Sequence, residues 1–208
     1  EKLLTKFVDY NFKGNNFFSR FIRSRYEKYR EGLLKDTNMT QYNPPATIDE
    51  LVERLQERLN FLAVSILADH QHIEEKLREN FTTPLASSLF RGCIESGKDV
   101  YEGGTTFNSI GIQAIGVTDV ADSLYAVNEV VFRKKLYTLE EVIDAIDNNF
   151  EGEHFSKVHR ALLAVPKFGD DSSTEATEWV TKVMCIYNNA LESVPNSPRN
   201  GTYTAGYY

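Results

Sequence analysis

The sequence predicts a predominantly helical α/β chain, and three observations carry the prediction. Apolar residues recur at three- and four-residue spacing over most of the 208 residues, the signature of amphipathic helices. Thr47 and Thr138 each precede such a run and are each followed three places on by a glutamate, so a hydroxyl can cap the first turn while the carboxylate closes a capping box. One segment, TTFNSIGIQAIGVT at 105–118, breaks that period. It is rich in Thr, Phe and Ile and punctuated by glycine, which suits a strand or loop in close backbone contact with a neighbour.

In chain order, residues 3–12 and 16–34 read as helices, and the loop DTNMTQYNPP leads to Thr47. A long helix then runs to about Asn80, with Leu51, Leu55, Leu59, Leu62, Ile66, Ile73 and Leu77 as its stripe. Pro84 opens a helix over LASSLFRGCIESGK, because proline fits a first turn, and the glycines that follow break regularity. After the 105–118 segment, residues 119–132 are amphipathic again, with Val120, Leu124, Val127 and Val131 along one side. Thr138 caps LEEVIDAIDNNF, another helix spans about 155–164, PKFGDD makes a turn, and residues 175–193 form a last helix carrying the single Trp179. PNSPRNGTYTAGYY reads as an aromatic loop.

Composition narrows the function. A content of 41% hydrophobic and 12% aromatic residues is that of a globular protein with a core. The net charge of -7 gives no phosphate-tracking surface, so nucleic acid is not an expected partner. Arg20, Arg23, Arg25, Lys28 and Arg30 alternate with Phe17, Phe18, Phe21, Ile22, Tyr26 and Tyr29, which reads as a helix with a buried aromatic side and solvated or paired arginines. No run approaches the roughly 18 apolar residues of a membrane span. Cys93 and Cys185 are the only cysteines, too few for a disulfide framework or a tetrahedral metal site, and a reducing cytoplasm is the expected location. Glu1 is not a start methionine and the chain enters directly into KLLTKFVDYNF, so it reads as an excised piece of something longer.

Residue types alone offer little chemistry. His70 and His72 sit two apart on a helix and so face different sides, which rules out chelation of one metal. His154 and His159 lie in a polar helix start and are expected to face solvent. There is no nucleophile elbow, phosphate loop or zinc spacing. Cys93 with Glu95 is the exception, since a thiol beside a carboxylate can be a nucleophile with its base. Its expected place near a helix end, where the dipole opposes a thiolate, favours a structural cysteine.

The run PLASSLFRGCIESGKDVYEGGTTFNSIGIQAIGVTDVADSLYAVNEVVF resembles the glycyl radical enzymes, the family of pyruvate formate-lyase, glycerol dehydratase and choline trimethylamine-lyase. Pro84, Leu85, Ser87, Cys93, Ile94, Gly97, Asp99, Gly103, Gly104, Asn108, Gln113, Gly116, Ala121, Asp122, Ser123 and Leu124 match its dehydratase-like branch, while Phe107 replaces the usual Tyr. NNFEG at 148–152 and PKFGDD at 166–171 resemble further elements of that branch. The resemblance is firm over 84–171, extends toward the C-terminus, and is weak before residue 80.

What the resemblance implies is a piece of a ten-stranded α/β barrel. It divides the chain into a helical segment over 1–80, a barrel segment over 81–171, and a helix with a C-terminal loop over 172–208. In the family a Cys-x-Glu loop at the barrel centre carries the thiyl radical and the general base. That loop precedes the segment matched here, so Cys93 aligns with a later helix and belongs with Gly103, Gly104, Gln113, Asp122 and Ser123 as a structural motif. For Asp122 and Ser123 a helix-start hydrogen-bonding role is preferred to a catalytic one. The Arg-Val-x-Gly-Tyr radical loop does not occur in these residues, and no catalytic residue or metal is expected in this chain.

By the same resemblance, Thr106, Asn108, Ser109, Ile110 and Thr118 are candidate lining for a substrate pocket. The departures at Thr106 and Phe107 remove a cation and a hydroxyl and leave the substrate open. The parent would be an anaerobic, cytoplasmic homodimer acting on a small molecule. Its glycyl radical would be installed by an iron-sulfur, S-adenosylmethionine-dependent activating enzyme, and it would cleave a C–C, C–O, C–N or C–S bond, with this chain alone inactive. Two other readings stand beside it: a noncatalytic helical interaction module, and a thiol enzyme using Cys93 and Glu95.

Overall fold

Thr47 launches the first helix. Its backbone is extended, at φ −136° and ψ 160°, and its hydroxyl oxygen accepts the Glu50 N–H at 3.2 Å ahead of α1 (Ile48–Asn80). The expected capping box is displaced by one residue, since the Glu50 carboxylate accepts the Ala46 N–H at 2.8 Å instead of that of Thr47. Arg54, one turn on, holds the other carboxylate oxygen and helps fix that orientation. The computed structural model describes residues 43–170 and 173–208, so the helices expected over 3–12 and 16–34, with their basic and aromatic run, lie outside the described residues.

The buried side of α1 differs from the expected stripe. Val52, Leu67 and Glu74 are buried, whereas Ile66 and Ile73 are 59% and 57% exposed. Leucines and isoleucines occur on more than one side of this helix, and the side that meets the last helix is the one that packs. The single helix expected after Pro84 is two short ones, α2 (Pro84–Ser87) and α3 (Cys93–Ser96). Gly92 separates them with φ 101°, and a β-carbon there would lie 2.7 Å from the Thr106 nitrogen, so both conformation and space demand glycine. A 3₁₀ turn (Val100–Glu102) follows, then β1 (Ile110–Ala114) inside the segment read as strand or loop.

Helix α4 (Val117–Val127) begins two residues before the expected start and runs into a π-helical turn (Asn128–Arg133). Its buried residues are Val117, Ala121, Tyr125 and Ala126, while Val120 from the expected stripe is exposed. The π turn buries Glu129, Val130 and Val131 together, which a regular 3.6-residue repeat would not do. Helix α5 (Leu139–Asp147) has the predicted capping box complete: Thr138 Oγ1 accepts the Glu141 N–H at 3.2 Å and Glu141 Oε2 accepts the Thr138 N–H at 2.8 Å. It stops three residues short of the expected end because Asn149 and Phe150 take φ of 54° and 57°. Helices α6 (Glu153–Leu163) and α7 (Thr174–Glu192) come next.

The C-terminal segment read as an aromatic loop is a strand, β2 (Tyr203–Tyr207), parallel to β1 with Ile110 opposite Tyr203 and Ala114 opposite Tyr207. Its partner lies some ninety residues back, so no local signal announces the pairing. Between the strands the chain crosses over through α4 to α7, as parallel pairing requires. Pro44–Tyr208 packs as one unit. Leu67, Ile110, Leu191, Val194 and Tyr203 form the core where α1 and α7 meet the sheet, and Ala114, Val117, Ala121, Val180 and Val183 continue it between α4 and α7. Val131, Val142, Ala145 and Val158 make a separate cluster under α5 and α6. No described helix is long and apolar enough to cross a membrane.

Candidate functional site

One carboxylate holds the segment that leads to β1. Asp99 accepts the Thr83 N–H at 2.7 Å, the Thr83 hydroxyl at 3.1 Å, the Ser87 hydroxyl at 2.8 Å and the Tyr101 N–H at 3.0 Å. The Ser87 oxygen in turn accepts the Val100 N–H at 3.0 Å. Burial opposes ionisation of Asp99, but the hydrogen bonds from Tyr101, Ser87 and Thr83 outweigh it and hold the carboxyl below its usual range. The letters P-L-x-S and G-x-D thus describe one knot that ties α2 to the 3₁₀ turn.

Cys93 is buried and is the first residue of α3, at the N-terminal end of a helix and not toward the C-terminal end as expected. The helix-end dipole is therefore not what keeps the thiol protonated. Burial pushes its pKa up, and the charges of Asp99 and Glu95 push the same way. Glu95 turns its carboxylate back to the Gly92 N–H at 3.0 Å, where it closes the turn before α3. A groove of roughly 260 Å³ beside Cys93 is lined by Pro84, Ser87, Ile94, Lys98 and Asp99. A buried thiol whose pKa is raised by burial and by the nearby Asp99 and Glu95 charges does not make a nucleophile.

The double glycine permits two close approaches. A β-carbon on Gly103 would lie 2.5 Å from the Arg199 carbonyl oxygen, and one on Gly104 would lie 2.2 Å from that of Lys98. The turn before β2 and the backbone before the 3₁₀ turn are thus both seated on this pair. Thr106 donates its N–H and its hydroxyl to the Arg91 carbonyl, at 2.9 and 3.1 Å. Asn108 folds inward, donating to Gly103 O at 3.3 Å and Thr105 O at 3.0 Å while accepting the Thr105 hydroxyl at 2.5 Å.

Of the predicted pocket residues, Thr106, Asn108 and Ser109 share this loop, with Thr106 and Ser109 exposed. Ile110 is buried with Leu67, Leu191 and Tyr203, and Thr118 sits in the first turn of α4, past the other end of β1. Gln113 is exposed on β1, its side chain laid across Gly206, where a β-carbon would come 2.4 Å from Oε1. Asp122 is in the second turn of α4 and not at its start, so the helix-start role does not hold. It accepts the Phe168 N–H at 2.8 Å and ties down the PKFG turn. Ser123, on the exposed side, donates to the Asp119 carbonyl at 2.7 Å.

His70 meets the Tyr203 ring edge-on at 5.9 Å, and exposed His72 has Nδ1 3.6 Å from a Glu75 oxygen. His154 is exposed beside Glu141, at 3.7 Å. His159, expected in solvent, is half-buried and stacks on Phe150 with centroids 4.2 Å apart. Among the described residues no group of three His, Cys, Asp or Glu is arranged to hold a metal. Sequence reasoning missed the ion pair between Arg199 Nε and buried Glu74 at 2.8 Å, which fixes the turn before β2 to α1. Its one signal is that Glu74 lies seven residues beyond Leu67, on the same side of α1.

The family model described as Pyruvate formate lyase-like matches residues 24–208. The trans-4-hydroxy-L-proline dehydratase of Clostridioides difficile is 30% identical over 147 residues, covering 71% of this chain and 18% of that enzyme. Among solved structures, a glycyl radical enzyme from Archaeoglobus fulgidus aligns with a TM-score of 0.70 and 30% identity, over 79% of this chain and 21% of that one. A structure describing 1,2-propanediol dehydration in Roseburia inulinivorans aligns with a TM-score of 0.72 and 29% identity, over 78% and 21%. The chain therefore spans about a fifth of the length of these relatives, and its strands and flanking helices correspond to part of their α/β barrel. With the family match running through the Asp99 knot, the double glycine and both strands, this chain belongs to the Pyruvate formate lyase-like family.

Proposed function

We propose that this chain is a barrel-wall segment of a glycyl radical dehydratase, which removes water from a small hydroxylated substrate by breaking a C–O bond. The observation that carries the reading is the parallel β1–β2 pair, backed by helices and entered through the Asp99 and double-glycine loop. It aligns at 29–30% identity with enzymes of that class, one a trans-4-hydroxy-L-proline dehydratase and one concerned with 1,2-propanediol. In such an enzyme a stored glycyl radical, installed by an iron-sulfur, S-adenosylmethionine-dependent activating enzyme, supplies the oxidising equivalent for hydrogen abstraction. The described residues do not fit the cysteine and base of that chemistry, because Cys93 is buried with its pKa pushed up and Glu95 is engaged by Gly92. No radical step runs through them, and the chain by itself is inactive. Its contribution is shape: a wall fixed by backbone contacts around which a chamber closes. A cytoplasmic, homodimeric parent acting under anaerobic conditions completes the proposal.

The test is the intact mass of the natural gene product, followed by anaerobic activation. A product several-fold heavier than 23.7 kDa, with a glycyl radical signal and loss of water from trans-4-hydroxy-L-proline, glycerol or propane-1,2-diol, supports the proposal. A natural product of 23.7 kDa with no companion polypeptide overturns it.

A further inference from the structure

Strand β1 can be read residue by residue. Ile110 and Ala114 are buried and Ile112 packs on the same core, whereas Gly111 and Gln113 are exposed. Thr204, opposite Gly111 on β2, is exposed too, while Tyr203 and Ala205 turn to the core. The same alternation extends back into the loop, where Phe107 is 87% exposed, Asn108 is half-buried and Ser109 is exposed. The buried row meets α1, α4 and α7. The other row therefore forms a face that none of these helices covers.

In a barrel ringed by helices, the side of a strand away from the helices is the side toward the lumen. Along the strands themselves that row is Gly111, Thr204 and Gly206 around Gln113, whose carboxamide is the one long polar side chain there, with Ser109 and Phe107 continuing it in the loop. A β-carbon on Gly111 would find nothing nearer than Gln113 Nε2 at 4.0 Å. On the register partner of Gln113 the missing β-carbon of Gly206 leaves the space in which the amide lies. A carboxamide among glycines is a poor filler for an apolar core, because an unpaired amide there is costly. It suits a chamber in which a few placed polar groups orient a small ligand.

The geometry points to Gln113 as a specificity-determining residue whose side-chain amide hydrogen-bonds a hydroxyl of the substrate, with Thr204 and Gly206 setting its position. This rests on the reading of the chain as a dehydratase wall. It moves Gln113 from the structural motif to the substrate side and sets it beside Ser109 on one row.

The test uses the full-length enzyme and whichever of glycerol, propane-1,2-diol or trans-4-hydroxy-L-proline it dehydrates. Loss of one such hydrogen bond is expected to raise KM about tenfold or more in Gln113→Ala. Gln113→Glu, of the same shape, should shift the preference among the three compounds, with radical content per subunit unchanged in both variants. A crystal structure of the unactivated enzyme with that compound should place a substrate hydroxyl within about 3.2 Å of the Gln113 amide. KM values within twofold of wild type in both variants, or an amide directed away from the bound compound, overturn the assignment. So does loss of folding or radical content in Gln113→Glu, which would mark a structural role. A wild-type enzyme that takes up no radical and dehydrates none of the compounds refutes the dehydratase reading itself, and the assignment with it.

Discussion

Gly201 brings the two strands together, and replacing it tests whether backbone contacts set this wall. The β-carbon of Gly201→Ala would lie 1.8 Å from the Asn108 carbonyl oxygen and 3.0 Å from its carbon. A carbon and an oxygen come into contact at about 3.3 Å, so the two segments must part by roughly 1.5 Å. Neither side can swing away. The Gly201 carbonyl accepts the Ser197 N–H at 2.9 Å, the Gly201 N–H donates to the Ser197 hydroxyl at 3.1 Å, and Thr202 O accepts the Ile110 N–H at 2.9 Å. Overpacking costs about 1–3 kcal/mol, and loss of the first bond of the parallel ladder adds about 1 kcal/mol. The expected loss is therefore about 3 kcal/mol, read from the urea midpoint and slope of the purified chain. Gly206→Ala is the control: its β-carbon would also collide, at 2.4 Å, but with the far end of the Gln113 side chain. Rotation of that side chain relieves the clash, so the cost should stay below about 1 kcal/mol. A loss under about 1 kcal/mol in Gly201→Ala, or equal losses in the two variants, refutes the reasoning.

Three further outcomes are expected. Because the folded carboxyl of Asp99 is held below its unfolded value of about 3.9, the stability it adds is present above that value and is lost as the pH falls through the folded pKa. Denaturant titrations should then show wild type ahead of Asp99→Asn by a constant margin from pH 7 to about 5, narrowing below about 4. Iodoacetamide at neutral pH should label exposed Cys185 while sparing Cys93 until the chain unfolds; rapid stoichiometric labelling of folded Cys93 would restore the thiol-enzyme reading. Val158→Ala, at a fully buried position against Val142 and Ala145, should cost about 2 kcal/mol by thermal or urea unfolding, and a loss below about 0.5 kcal/mol would mean that this cluster is loosely packed.

Helix starts are legible where a side chain caps its own neighbours. Thr138 with Glu141 needs only three residues of context, and both hydrogen bonds form as their spacing implies. Helix phase is less legible, because the partner chooses the side. In α1, Leu67 faces α7 and the sheet and Glu74 meets Arg199 in the turn before β2, while Ile66 and Ile73 are exposed, and after α4 the π turn changes the repeat. Least legible is β2, five residues whose only reason to be extended is a parallel partner far back in the chain.

The candidate site shows the same division between local and distant causes. Cys93 and Glu95 look like a catalytic pair because they are two letters apart, yet their chemistry is set by what lies around them. Asp99 adds negative charge from the 3₁₀ turn, burial removes water, and Glu95 spends its hydrogen-bonding capacity on the backbone of Gly92. Each of these works against a thiolate. The same arrangement favours order, since Asp99 draws Thr83, Ser87 and Tyr101 onto one point, and the double glycine next to it lets Arg199 and Lys98 close in. Through Arg199 and Glu74 that order reaches α1. The loop before β1 is thus held from two sides, and with it the alternation that buries Ile110 and exposes Gln113. A one-residue slip would exchange them, placing an amide in the apolar core and an isoleucine on the open face. Asp99, Gly103 and Gly104 hold the loop against that slip, and that role requires no contact between them and a substrate.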